Sequence, residues 1–236
     1  MDSPVRLLIH GGNGRMGQAL QRLCREDTGC TVVGAVSRKV GPRVLDGVPQ
    51  FASSELSGVP DFDVAVDFSL PQGFEQILAL CVARRKPLVS GTTGLADAHV
   101  AALDAASTII PVAWASNFSL GVAVLHSLVE RAARALPGWD CDVIEAHHVR
   151  KLDAPSGTAL TLGAAAGEQG AVPRYASIRA GDIVGEHFVQ FTTGGERIEL
   201  VHRASDRDIF VRGALHTAKA ISRRGPGRYR IADLLG

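Results

Sequence analysis

The stretch Glu145-Ala146-His147-His148-Val149-Arg150-Lys151-Leu152-Asp153-Ala154-Pro155-Ser156-Gly157-Thr158-Ala159-Leu160 gathers most of the reactive chemistry of this sequence. A strand pattern runs into imidazoles and an ammonium, either of which can donate a proton near neutral pH; His147 and Lys151 are the candidates. Pro155 and Ser156 then open a helix. Ser156 is a good N-cap, and the N–H groups of Gly157 and Thr158 face outward at a helix start, where the dipole favours a carboxylate. His148 and Lys151 add charge from the other side. Adjacent histidines on a strand point to opposite faces and chelate one ion poorly, so no metal site is assigned. No aromatic residues interleave the basic ones, which argues against nucleic acid. A capped helix beside solvated charges is the simpler alternative. The density of titratable groups at an anion-binding helix start favours a catalytic site.

A second constellation lies near the N-terminus. His10-Gly11-Gly12-Asn13-Gly14-Arg15-Met16-Gly17 follows a short apolar run and opens a helical pattern. Glycines at 11, 14 and 17 suit a turn that needs positive φ and a backbone that approaches a pyrophosphate closely. An ordinary tight turn is the alternative; the strand before it and the helix after it favour a dinucleotide site. The position that would meet the adenine ribose is Ser37, followed by Arg38 and Lys39. Two cations and no acid suit a 2′-phosphate, hence NADPH over NADH; solvated loop charges are the alternative reading. Two more loops, Ser90-Gly91-Thr92-Thr93-Gly94 and Ala115-Ser116-Asn117-Phe118-Ser119, fall at the carboxyl ends of strand patterns, where doubly wound sheets bind ligands.

The elements that must position these groups fall into two kinds. Strand patterns at Val5–His10, Thr31–Val36, Asp63–Phe68, Pro87–Ser90 and Ile109–Trp114 alternate with helical spacing at Arg15–Glu26, Gly73–Arg85 and Ala96–Ala106. That alternation predicts βαβ units around a parallel sheet. Later come an amphipathic helix (Leu120–Ala135), a strand (Cys141–His147) and a hairpin (Gly185–Thr192 and Glu196–Ala204) turning at Gly194-Gly195. Phe210–Ser222 reads as helix, Tyr229–Leu235 as short and mixed, and Ala164–Tyr175 as a helix end and a loop. The expected class is therefore α/β, a doubly wound half followed by a smaller α+β half.

Composition sets the outer bounds. The 236 residues are 46% hydrophobic and 21% charged, and 25 Lys and Arg against 24 acids give a net charge of +1. That balance supports a packed core and calls for neither nucleic acid nor an anionic membrane. The start of the sequence carries no secretory leader pattern, and no apolar run spans a bilayer, so a cytoplasmic location is expected. Cys24, Cys30, Cys81 and Cys141 form no CxxC pair and read as reduced core thiols.

GGNGRMG at 11–17, VDFSLPQG at 66–73, SGTTG at 90–94, ASNFSLGV at 115–122, EAHHVRKLDAPSGTAL at 145–160, RAGDIVGEH at 179–187 and GERIELVHRASDRDIF at 195–210 together resemble the 4-hydroxy-tetrahydrodipicolinate reductase (dihydrodipicolinate reductase) family. The first motif is shared by many dehydrogenases; the string at 145–160 is specific. The resemblance implies an NAD(P)H-dependent reduction of a small cyclic dicarboxylate in the diaminopimelate route to lysine. It implies proton donors at His147 and Lys151, and substrate contacts from His148, Lys151, Ser156, Gly157 and Thr158. Cofactor contacts would come from Gly11, Gly12, Asn13, Gly14, Arg15, Met16, Ser37, Arg38, Gly91, Thr92, Thr93, Ala115, Ser116, Asn117 and Phe118. Ser37 stands where many members carry an acid. The implied architecture is a Rossmann-type domain over 1–118 and 208–236, and a substrate domain over 119–207 whose open mixed sheet assembles a homotetramer. Another oxidoreductase on the same scaffold is opposed by the string at 145–160, and a silent NADPH sensor by the complete basic set.

Overall fold

The computed structural model describes residues 3–39 and 41–235. The chain divides into two compact units, Met1–Phe118 with Phe210–Gly236, and Ser119–Ile209.

In the first unit, β1 (Val5–His10) leads through a glycine turn into α1 (Arg15–Glu26) and β2 (Cys30–Ser37). A hairpin, β3 (Val44–Leu45) and β4 (Val48–Ala52), and a 3-10 turn follow, then β5 (Val64–Asp67), α2 (Pro71–Arg84), β6 (Leu88–Ser90), α3 (Asp97–Ser107) and β7 (Pro111–Trp114). The second unit holds α4 (Leu120–Ala135), β8 (Asp140–His147), α5 (Gly157–Gly167), β9 (Pro173–Arg179), β10 (Gly185–Thr193) and β11 (Glu196–Ala204). With α6 (Asp208–Ile221) the chain returns to the first unit, where β12 (Gly227–Tyr229) ends the sheet.

The first sheet runs β12-β7-β6-β5-β1-β2-β4-β3, parallel except for the β3–β4 hairpin. Its central strands are mostly apolar because helices cover both faces of such sheets; β5 is buried at all four positions. One side is closed by Leu8, Ala65, Leu88 and Val112 from strands against Phe74, Ile77, Leu78 and Leu103 from α2 and α3. The chain leaves β1 to one side toward β2 and resumes on the other at β5. Where neighbouring connections diverge in this way, the carboxyl ends of the strands open a crevice for a ligand.

The second sheet runs β11-β10-β8-β9; β10 is antiparallel to β11 and β8, and β9 is parallel to β8. Helices α4 and α5 cover one face, burying Leu125, Val129, Ala159 and Leu162 against Cys141, Val143, Val189 and Phe191. The hairpin turns at Gly194-Gly195, with Gly195 at φ +95°.

Four features depart from the sequence expectation. The stretch Ala164–Tyr175 does contain a helix end at Gly167, but a strand, β9, opens at Pro173. Its residues are exposed along almost its whole length, so it carries no alternation to read. The β3–β4 hairpin and the 3-10 turn Ser53–Gly58 fill a stretch given no elements, and β12 lies at the edge of the mixed C-terminal stretch. Helix α2 begins at Pro71, not Gly73, because a proline at the first helical position loses no hydrogen bond. All four cysteines are buried, and the Cys24 and Cys30 thiols lie 2.9 Å apart. Among the described residues no helix is long and apolar enough to cross a membrane.

Candidate functional site

The period-two alternation of β8 builds the second unit's core and then changes chemistry. Cys141, Val143, Glu145 and His147 share one face, the face covered by α4 and α5. Cys141 and Val143 belong to the apolar core; the next two positions are a carboxylate and an imidazole. Strand pairing extends the change sideways. Glu145 is opposite His187, which is opposite His202, and on its other side lies Ser177. In the next row, His147 pairs with Arg179 across β9 and stands beside Gly185 of β10. Two rows of one sheet face therefore become polar together.

Glu145 organises this corner. It is fully buried, and its Oε2 accepts from His147 Nδ1 at 2.5 Å and from Arg179 Nη1 at 2.9 Å. Its Oε1 accepts from Arg179 Nη2 at 2.7 Å and from the backbone N–H of Ser156 at 3.3 Å. Burial opposes the charge, but the donors from Arg179, Ser177 and His147 outweigh it and hold the carboxyl at about 2. Arg179 also donates to the Asp153 carbonyl at 2.6 Å, tying the 148–156 loop to the same anion.

The loop delivers the remaining groups. Lys151 donates its backbone N–H to the His148 carbonyl at 3.1 Å, and its Nζ lies 2.9 Å from Asp153 Oδ2. Ser156 caps α5, its Oγ accepting from Ala159 N at 3.2 Å, as its type and position predict. Gly157 and Thr158 form the first turn behind it. His147, His148, Lys151, Ser156, Gly157 and Thr158 thus lie along one continuous path from the end of β8 to the start of α5.

Three further residues share this corner: Arg179, His187 and His202. The His187 ring meets His147 edge-on at 5.3 Å and stands 6.4 Å from His202. Burial, then the neighbouring imidazoles of His147 and His202, push His187 down to about 4. Burial likewise lowers His202, and desolvation with Arg150, Arg207, His147 and Lys151 lowers His148. The Nδ1 atoms of His148, His187 and His202 are buried without a hydrogen-bond partner among the described residues, so a polar ligand has acceptors and donors to meet. The signal for His187 was present in the sequence: Gly185, His187, Val189 and Phe191 alternate inward with the core. That for Arg179 lay in the register of an unread strand.

In the first unit, the carboxyl ends of β1, β2 and β5 surround a cavity of about 630 Å³. Gly11, Asn13, Gly14, Ser37 and Arg38 line it, together with His10, Phe68 and Gln72. Gly11 sits at φ +84°, and a Cβ there would come within 2.5 Å of the Phe68 carbonyl oxygen. At Gly17 a Cβ would lie 2.2 Å from the Gly11 carbonyl, so this glycine lets α1 pack on the turn. The Asn13 N–H donates to Ser37 Oγ at 2.9 Å and its side chain to the Lys39 carbonyl at 2.9 Å, which binds the glycine turn to the loop after β2. Arg38 is exposed at the cavity wall.

Not every expected cofactor position lines this cavity. Gly12 is buried against Ala35; Arg15 and Met16 begin α1 just beyond the turn. Gly91 packs on the Phe68 ring, and Thr92 is buried with its hydroxyl donating to Asp67 at 2.7 Å. Thr93 and Ser116 are exposed, while Ala115 and Asn117 are partly covered. Phe118 is buried edge-on to Phe68 at 5.7 Å. Asp67 is the hub: buried, it accepts from Thr92, from Ser90 at 2.8 Å and from His10 Nδ1 at 2.8 Å. Burial opposes its ionisation, and hydrogen bonds from His10, Ser69 and Thr92 still hold it below the usual carboxylate range.

The fit to a dinucleotide is steric and electrostatic: an open glycine turn at a helix start, a cavity of suitable size and a cation, Arg38, at its wall. Comparison with known proteins carries this further. The description "Dihydrodipicolinate reductase, N-terminus" matches residues 5–118, and "Dihydrodipicolinate reductase, C-terminus" matches residues 121–235. The 4-hydroxy-tetrahydrodipicolinate reductase of Xanthomonas campestris pv. campestris (strain B100) is 68% identical over 234 residues, covering 99% of this chain and 98% of that protein. That of Xylella fastidiosa (strain 9a5c) is 62% identical over 236 residues, 100% of both. A dipicolinate-bound dihydrodipicolinate reductase from Paenisporosarcina sp. TG-14 has the same fold, with TM-score 0.80 at 21% identity over 96% of this chain and 97% of that one. The chain belongs to the dihydrodipicolinate reductase family.

Proposed function

We propose that this enzyme reduces 4-hydroxy-tetrahydrodipicolinate to tetrahydrodipicolinate with loss of water, using NAD(P)H, in the diaminopimelate route to lysine. The observation that carries the reading is the identity to the Xanthomonas reductase over nearly the whole chain. When bound, NAD(P)H supplies the hydride that C4 of the ring receives. The chain must then hold two carboxylates and deliver a proton. Gly157 and Thr158, at the positive end of the α5 dipole, with Lys151 and His148, suit the carboxylates. Ser156 shapes that end by capping it and by tying its N–H to Glu145. His147, paired with an ionised carboxylate, is suited to carry the proton, and Lys151 is the second candidate.

The glycine turn Gly11–Met16 would hold the pyrophosphate, with Gly91, Thr92, Thr93 and Ala115–Phe118 as further cofactor positions. Ser37 and Arg38 favour NADPH: the Ser37 hydroxyl is committed to the glycine turn, and Arg38 faces the cavity. The reading includes a homotetramer. The sheet face of the second unit away from α4 and α5 carries half-exposed Ile178 and Val201 beside Phe188 and Ile144, an apolar surface suited to a second copy. A monomeric mass in solution would remove that element.

The test follows reduced-nicotinamide absorbance with substrate made in situ from pyruvate and aspartate semialdehyde by the upstream synthase. A substrate-dependent rate that collapses in His147→Ala and Lys151→Ala, with NADPH affinity retained, is the expected result. Tight NADPH binding without turnover in the unaltered protein would overturn the reading.

A further inference from the structure

We propose that Glu145, clamped by Arg179, is a positioning residue that holds His147 so that its proton moves at Nε2. This rests on the reading of His147 as the proton donor. The hydrogen-bond pattern leaves one assignment for the ring. Glu145 is ionised and can only accept, so His147 Nδ1 must be the donor in their contact. The neutral ring therefore carries its lone pair at Nε2, and the proton it gains or gives is the one at Nε2.

The surroundings agree with that assignment from a separate direction. Nε2 faces Gly185, where a Cβ would stand 3.1 Å away, so the absence of a side chain keeps room at the atom that must exchange the proton. Across from His147, the buried His187 ring presents a neutral edge, with His202 behind it on β11. From β9 comes Arg179, already bonded to Glu145; from the loop come His148 and Lys151, the latter paired with Asp153. Glu145 is the carboxylate hydrogen-bonded to the His147 ring, and its charge also reaches His187 through space. Arg179 fixes both oxygens of that carboxylate and the Asp153 carbonyl, so the same anion orients the ring and the entry to α5.

Glu145→Gln keeps the size and an acceptor but removes the charge that favours the protonated ring. We expect kcat to fall roughly 30-fold, short of the ~10²–10⁴ that a general acid contributes because the His147 ring itself remains. The high-pH limb of the kcat profile should move to lower pH, with KM and NADPH affinity within about twofold. Glu145→Asp keeps the charge and should restore the limb even if kcat recovers only in part. A purely structural role would lower both variants' kcat alike and leave the limb in place, and that result overturns the proposal. Histidine ¹⁵N NMR of the unaltered protein, with His147→Asn to assign the signal, tests the tautomer without turnover. Protonation of the neutral ring at Nδ1 is expected; protonation at Nε2 overturns the proposal. If the unaltered protein does not turn over this substrate, the functional reading fails while the NMR result still judges Glu145.

Discussion

Replacing Arg179 by Met removes the fork that holds a buried carboxylate and leaves Glu145 with neutral or weaker donors. The magnitude follows from the carboxyl itself. Its ordinary value of 4.5 against about 2 in the fold corresponds to roughly 3 kcal/mol of stability at pH 7. A depressed carboxyl stabilises the fold above its unfolded value, and that contribution is lost as pH falls through its folded value. Arg179 is the largest of the donors behind that depression, so the gap between the unaltered protein and Arg179→Met should reach up to about 3 kcal/mol from pH 7 down to pH 5.5. It should shrink to about 1.5 kcal/mol near pH 3. Breaking a buried pair by removing one partner commonly costs about 3–5 kcal/mol, a range that overlaps this figure. The two tryptophans make the assay specific: Trp139 packs on the second unit's core and Trp114 on the first's. In a Trp114→Phe background, fluorescence-detected urea unfolding at several pH values reads the second unit alone. A gap under about 1 kcal/mol at pH 7, or one that does not change with pH, would refute the argument.

The remaining predictions use the same structure. His187, at about 4 against an ordinary 6.5, destabilises the fold only where the unfolded ring is protonated and the folded one is not. Stability should fall by up to about 3 kcal/mol as pH drops from 6.5 to 4, and His187→Gln should flatten that decline in acid-unfolding curves. Arg38→Ala should weaken NADPH binding by roughly 10- to 100-fold, the worth of charge-assisted hydrogen bonds to a phosphate, and leave NADH within about threefold. Calorimetric titration with both nucleotides decides it, and equal losses would return Arg38 to a solvated loop charge. Gly11→Ala places a Cβ 2.5 Å from a backbone oxygen at φ +84°. The strain, about 1–3 kcal/mol, should lower the melting temperature and raise Kd for both nucleotides more than about tenfold; an unchanged Kd would show that this turn does not hold the dinucleotide.

The α/β class was legible because two different periods were strong. Buried parallel strands read as mostly apolar runs in the first half, and β10 reads as clean alternation in the second. What escaped was structure held by pairing instead of burial. β9 is exposed at most positions and is fixed by its register with β8; β12 is three residues at a sheet edge; β3 and β4 are short and contain Pro49. None leaves a hydrophobic period, since none needs one. The same blindness hid Arg179, which lies at the end of the unread β9 and reaches Glu145 only because Glu145 and His147 pair with Ser177 and Arg179.

Glu145 shows the limit most clearly. Its position in the string at 145–160 was visible, and so was its spacing of two from both Val143 and His147. Read by alternation alone, a carboxylate on the buried face of a strand is a contradiction, for an unpaired charge there costs several kcal/mol. The resolution requires donors from four separate places, namely the His147 ring, the Arg179 fork, the Ser177 side chain and the Ser156 N–H. Those donors sit at 2, 34, 32 and 11 residues from it along the chain. A buried charge on a core face is thus a signal that partners must converge, and where an imidazole follows it on the same face, the convergence has a chemical use: the ionised acid fixes which nitrogen of the ring can trade a proton.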